Sequence, residues 1–147
     1  MVTEFFSEDE WRIAYPVMRD LRTELQEDEF ITIMRQMKEE GYRLFALYEQ
    51  DEIVTLAGIA VLHNMYYGKH IWVHELVTKA DKRSKGYGEK MLHFLASWGE
   101  EQGCDTIALA SAFFREDAHR FYEEKMGFEK SNFTFVKQLH VSPAPLS

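Results

Sequence analysis

The sequence predicts an α/β (α+β) fold built on one mixed, mostly antiparallel twisted sheet with flanking helices, and three observations carry that expectation. Short runs rich in β-branched and aromatic residues are bounded by turn residues, and longer segments between them repeat apolar residues at helical spacing. Their order is two strands followed by strand, helix, strand, helix, strand. That order implies an antiparallel meander and then a right-handed crossover to a parallel strand.

Taken from the start, Val2 to Phe6 reads as a short strand. Ser7 with Glu10 three residues on forms a capping box, after which Trp11, Ala14, Met18, Leu21 and Leu25 recur on one helical face. Pro16 is expected to kink or split that helix. A second helix is expected from about Glu27 to Glu40, with Phe30, Ile33, Met34 and Met37 on one face and Gly41 as its stop. Arg43 to Tyr48 and Ile53 to His63 read as strands joined by the polar loop Glu49 to Glu52. A third strand of this group, about His70 to Thr78, follows the turn at Tyr67-Gly68-Lys69. The next helix turns Met91, Leu92, Leu95 and Trp98 inward and closes at Gly103. Thr106 to Ala110 is a short strand, Ala118 to Lys125 a short helix, and Phe133 to Leu139 a final strand.

With 147 residues, 46% of them apolar and 14% aromatic, the chain is expected to form one domain over residues 1–141, with 142–147 as a loose tail. No window approaches the roughly 20 apolar residues that span a bilayer, and no basic-then-apolar signal opens the chain. The single cysteine, Cys104, suits a reducing compartment and clusters with no histidines at metal-ligand spacing. A cytoplasmic protein without a metal site is therefore expected. A net charge of -8 argues against binding nucleic acid or an anionic membrane, both polyanions.

Against that acidic background the cluster Lys79, Lys82, Arg83 and Lys85 stands out. It leads into Arg83-Ser84-Lys85-Gly86-Tyr87-Gly88, a basic, glycine-punctuated turn between an apolar strand and the longest helix. Such a turn suits a pyrophosphate: glycines let backbone N–H groups crowd an anion, and the helix presents its positive end to the same place. Downstream, Ala118 to Phe128 sets Tyr122 on a short helix closed by Gly127. The spacing from Gly86 leaves room for one helix, one strand and the first turn of the next helix.

The two segments together resemble the GNAT superfamily of N-acetyltransferases, and the match extends to Glu75-Leu76-Val77-Thr78. Ala110 to Arg115 matches less well, with Arg115 in place of an asparagine common in that family. The resemblance implies acetyl-CoA as co-substrate, held by Ser84, Lys85, Gly86, Tyr87 and Gly88 with Arg83 nearby. It also implies cofactor contacts from Leu76, Val77, Thr78, His119 and Phe121. The strands Ile71 to Val77 and Thr106 to Ala110 would run parallel and splay apart, exposing edges to the pantetheine amides. Tyr122 would be the acid that protonates the departing thiolate, since a phenol is protonated at neutral pH.

For the base, Glu75 is expected to share a face with Ile71, Val73 and Val77, where a carboxylate must be paired, hydrated or functional. His74, on the opposite face, is the rival, because a bulge would exchange the faces; an ordinary salt bridge is a third reading. His119 reads as a cofactor-side contact or a helix cap. Cys104 reads as a small buried hydrophobe, which favours direct transfer in a ternary complex over an acyl-enzyme. The acceptor is a small-molecule or protein amine, and Trp11, Tyr15, Tyr42 and Asn64 to Tyr67 are candidates to line its pocket. A non-catalytic acyl-CoA-binding module on the same fold is the alternative function. Edge strands are compatible with a homodimer.

Overall fold

The computed structural model describes residues 1–111 and 115–140. The chain divides into two compact units, Met1–Leu109 and Ala110–Ser147.

The first unit holds a five-stranded sheet in the order β1 (Val2–Phe5), β2 (Arg43–Glu49), β3 (Glu52–Asn64), β4 (Gly68–Thr78), β5 (Thr106–Leu109). The first four strands pair antiparallel in sequence order, and β5 joins β4 in parallel. This is the expected meander with one crossover. The connection from β4 to β5 carries a 3₁₀ turn, Ala80–Lys82, and helix α3, Tyr87–Glu101.

Helices α1 (Glu8–Met18) and α2 (Glu27–Glu39) cover one face of the sheet. Trp11, Ala14, Met18, Phe30 and Met34 pack there against Leu44, Ala46, Leu56 and Val77. On the other face, Phe45 of β2 stacks its ring on Phe94 and Trp98 of α3. Gly99 lets α3 approach β4 closely, since a Cβ there would lie 2.6 Å from Ile71 Cδ1. Alternation along β2 thus supplies two apolar layers from one strand.

The capping box at Ser7 forms as expected: Glu10 N donates to Ser7 Oγ at 3.2 Å and Ser7 N donates to Glu10 Oε1 at 3.0 Å. The first helix, however, stops short of Leu21 and Leu25. Pro16 lies in its last turn without an N–H to give, and the chain leaves through successive turns closed by Asp20 N to Val17 O and Leu25 N to Arg22 O. Leu21 and Leu25 still pack on the core edge from that connection.

Two bulges interrupt the ladder. Leu47 pairs with Thr55 and Tyr48 with Ile53; further along, Gly58 pairs with Glu75 and Ile59 with Val73, which leaves His74 as an extra residue in β4. Such an insertion moves every later side chain to the other face. Ile71 accordingly meets α3, whereas Val77 belongs to the α1/α2 layer.

In the second unit, helix α4 spans Glu116–Arg120 and runs on into a π turn, Phe121–Lys125, in which Met126 N donates to Phe121 O. The stretch expected as a final strand, Phe133 to Leu139, has no strand structure, and Phe133, Phe135 and Leu139 are exposed. Its alternating pattern fits a pleat, but a strand exists only with a neighbour to complete its hydrogen bonds, and among the described residues no strand pairs with it. The expected tail, 142–147, and residues 112–114 of the weaker match lie outside the described residues.

Candidate active site

Beta strand β4 pairs with β5 only from His70 to Val73. Beyond that point, among the described residues, β4 from His74 to Thr78 has no strand partner on the β5 side. The expected parallel pair is present, and it opens after four residues. Leu76, Val77 and Thr78 stand on this free edge, where main-chain N–H and C=O groups are available to a ligand. The far side of the same segment is secured: Thr55 Oγ1 and Thr78 Oγ1 are 3.0 Å apart, and Lys79 N donates to Val54 O at 2.8 Å.

The glycine turn follows directly. Ser84 (φ 62°) and Gly86 (φ 84°) both take left-handed conformations, and Gly86 is the N-cap of α3. A Cβ on Gly86 would meet nothing within 4 Å, so the glycine serves the backbone conformation and leaves open space above it. No side chain caps α3. Its first N–H groups and its positive dipole end therefore face outward together, an arrangement suited to an anion. Arg83, Ser84, Lys85 and Gly86 are exposed, and Tyr87 and Gly88 are half-buried. Lys79 and Lys82 are drawn away by Glu52, at 3.0 and 3.6 Å. Among the described residues Arg83 and Lys85 form no ion pair, so they are the cations left to the turn.

Glu75 does not share a face with Ile71 and Val73. The extra residue at His74 turns the carboxylate toward α1 and α2, together with Val77. There Tyr42 Oη donates to Glu75 Oε1 at 2.5 Å and Arg22 Nη2 donates to Oε2 at 3.1 Å. His74 comes to the same side, its ring 5.5 Å from that of Tyr42. The two rivals for the base are thus neighbours. Burial, with the Glu75 charge adding to it, holds the Tyr42 phenol well above its ordinary range, so this residue remains a protonated donor. Gly58 makes the arrangement possible: a Cβ there would lie 1.6 Å from Tyr42 Oη and 2.7 Å from Glu75 Oε1.

Beneath Glu75 lies a cavity of about 440 Å³, walled by Met18, Leu25, Phe30, Met34 and Met37. Tyr42 is part of its lining, as expected of an acceptor pocket. Trp11 and Tyr15 are instead core residues, and Tyr15 spends its hydroxyl on Leu25 O at 2.5 Å. The Asn64–Tyr67 loop precedes β4, at the opposite end of the strand from Glu75. Sequence reasoning missed Arg22, which is distant in the chain and sits in an acidic, loop-forming stretch.

Tyr122, Phe121 and His119 all fall in the second unit. Tyr122 follows Phe121 in the π turn and packs between Phe121 and Phe128, with ring centroids at 5.5 and 5.7 Å. Burial raises its phenol pKa and the Arg115 charge partly offsets this. His119 is not the helix cap, because α4 begins at Glu116 with Arg115 as N-cap. Cys104 is half-buried, and no group of metal ligands occurs among the described residues. No described helix is long and apolar enough to cross a membrane.

A mixed sheet whose parallel pair ends near an uncapped helix start leaves main-chain groups free for an anionic ligand. The acetyltransferase (GNAT) family model matches residues 5–128. The uncharacterized N-acetyltransferase YhdJ of Bacillus subtilis is 40% identical over 132 residues, covering 89% of this chain and 93% of its own. An aminoalkylphosphonate N-acetyltransferase of Salmonella typhimurium is 30% identical over 88 residues, 57% of this chain and 56% of its own. Among solved structures, aminoglycoside N-acetyltransferase AAC(6')-Iy in complex with CoA superposes with a TM-score of 0.78 at 13% identity, covering 95% of each chain. This chain belongs to the GNAT acetyltransferase family, and it is an acetyltransferase with acetyl-CoA as co-substrate.

Proposed function

We propose that the protein moves the acetyl group of acetyl-CoA directly to a primary amine within a ternary complex, in the cytoplasm, as a single N-acetyltransferase domain over residues 1–141. The observation that carries this reading is the free edge of β4 from His74 to Thr78 followed, after the Ala80–Lys82 turn, by the open start of α3. Main-chain amides of Ser84 to Gly88, with Arg83 and Lys85 beside them, hold the diphosphate. The edge at Leu76 to Thr78 takes the pantetheine amides, and an N–H of Leu76 or Val77 steadies the oxyanion. His119 and Phe121 contribute further cofactor contacts.

The amine lone pair forms the C–N bond as the C–S bond breaks. Glu75, directly or through a water, first accepts the ammonium proton; Tyr122 gives its phenolic proton to the departing thiolate and recovers one from the nitrogen, which sheds its second proton as the amide forms. Each Glu75 oxygen receives one hydrogen bond in the structure and keeps a second acceptor site. Aminoglycosides and aminoalkylphosphonates, named for two of the similar proteins, are candidate acceptors alongside other amines.

A thiol-release assay with acetyl-CoA across a broad amine panel tests this. Acetyl-CoA binding with no turnover on any amine would replace the reading with a non-catalytic acyl-CoA-binding module, for which the pairing of Glu75 with Arg22 and Tyr42 is the supporting observation.

A further inference from the structure

We propose that the acceptor is a primary amine on an aliphatic or aromatic body, seated in the cavity beneath Glu75, and that the Arg22 guanidinium holds the place its ammonium takes. This rests on the acetyltransferase reading above and adds to it the substrate class.

The cavity, at about 440 Å³, falls within the size range of small-molecule sites. Its inner wall is apolar, and three of the side chains, Met18, Met34 and Met37, are methionines, which adapt to ligands of different outline. Among the described residues, polar groups come only from the exposed connection Arg22–Glu24 and from Tyr42 and Glu75. A body rich in hydroxyls or extra ammonium groups would lose its water against that wall, with partners only at the exposed Thr23 and Glu24. An alkyl or aryl body fits without that loss.

The ammonium end is fixed by charge. The Glu75 side chain is only 13% exposed, and a carboxylate so placed needs a cation. Arg22 supplies it from a half-exposed side chain on the turn between α1 and α2, reaching Oε2 at 3.1 Å and His74 O at 3.4 Å. A flexible guanidinium can withdraw to solvent, so one cation replaces another and Glu75 stays compensated. The exchange happens on the strand segment whose other edge is open, which brings the amine beside the bound thioester.

The test is the thiol-release assay on the whole protein. Hexylamine, phenethylamine and tryptamine are compared with spermidine, kanamycin, 2-aminoethylphosphonate and a lysine peptide. The expected result is a kcat/KM about tenfold or more higher for the apolar amines, consistent with the selectivity of apolar pockets. Met37→Gln should raise the phenethylamine KM severalfold with kcat little changed. Arg22→Gln should lower that KM while leaving acetyl-CoA affinity intact, the latter reporting that the variant is folded. Preference for the polar acceptors, or an Arg22→Gln variant whose KM rises and whose use of 2-aminoethylphosphonate collapses, overturns this inference and leaves the acetyltransferase reading standing. Silence with every amine overturns both.

Discussion

At the scale of single residues, Tyr122 and Glu75 make different demands on their surroundings. The proposed acid role of Tyr122 requires its protonated form, and burial moves its pKa upward from 10.0. The alkaline loss of kcat that belongs to this residue should therefore lie above about pH 10, with no break at neutral pH. Tyr122→Phe should lower kcat by about 10² or more and leave the Kd for acetyl-CoA unchanged; equal losses in both would assign the phenol to binding. Glu75 depends instead on the space Gly58 leaves open. Gly58→Ala would press on Tyr42 Oη and break the Tyr42–Glu75 hydrogen bond, costing about 1–3 kcal/mol in a urea melt and a large part of the activity. A carboxylate in an apolar strand was legible in the sequence as an anomaly needing an explanation. Its partners were not, because Arg22 and Tyr42 are separated from it in the chain by 53 and 33 residues and no periodicity links them.

Elements were read more reliably than contacts, since helix starts and strand alternation are local signals. Ser7 and Glu10 announced α1, and Glu10 shows the corresponding electrostatics: the N–H of Phe6, opposed by partial burial and helped by Ser7, lowers its pKa from 4.5. A depressed carboxylate stabilises the fold above its unfolded pKa, and that contribution disappears as pH falls through the folded value. Glu10→Gln should thus melt lower than wild type at pH 7, with the gap closing below about pH 4; a gap independent of pH would assign the effect to packing. The glycine turn was equally legible. Gly86→Ala should cost about 1–2 kcal/mol of strain from its left-handed backbone, with no steric clash to add, and should weaken acetyl-CoA binding if the amides shift. Phe133–Leu139 marks the limit of local reading: alternation proposes a strand, and only a partner edge can create one.

For the whole molecule, ligand binding and stability are one measurement. Acetyl-CoA at about 100 times its Kd should stabilise the native state by roughly 2.7 kcal/mol, a rise in Tm of about 5–10 °C for a chain of this size. No rise at saturating concentration would contradict the diphosphate cradle. The effect should shrink with added salt, because an acidic protein, net charge -8, receives an anion through only a few local cations. The odd residue in β4 carries one more consequence. On either side of His74 the strand is read in two frames, so the layer that carries Glu75 and the layer beneath α3 draw on different stretches of β4. Under the proposed function, acceptor preference can then be rebuilt by substitution in one layer without loosening the other, while deleting that single residue would turn one stretch of β4 to the opposite face.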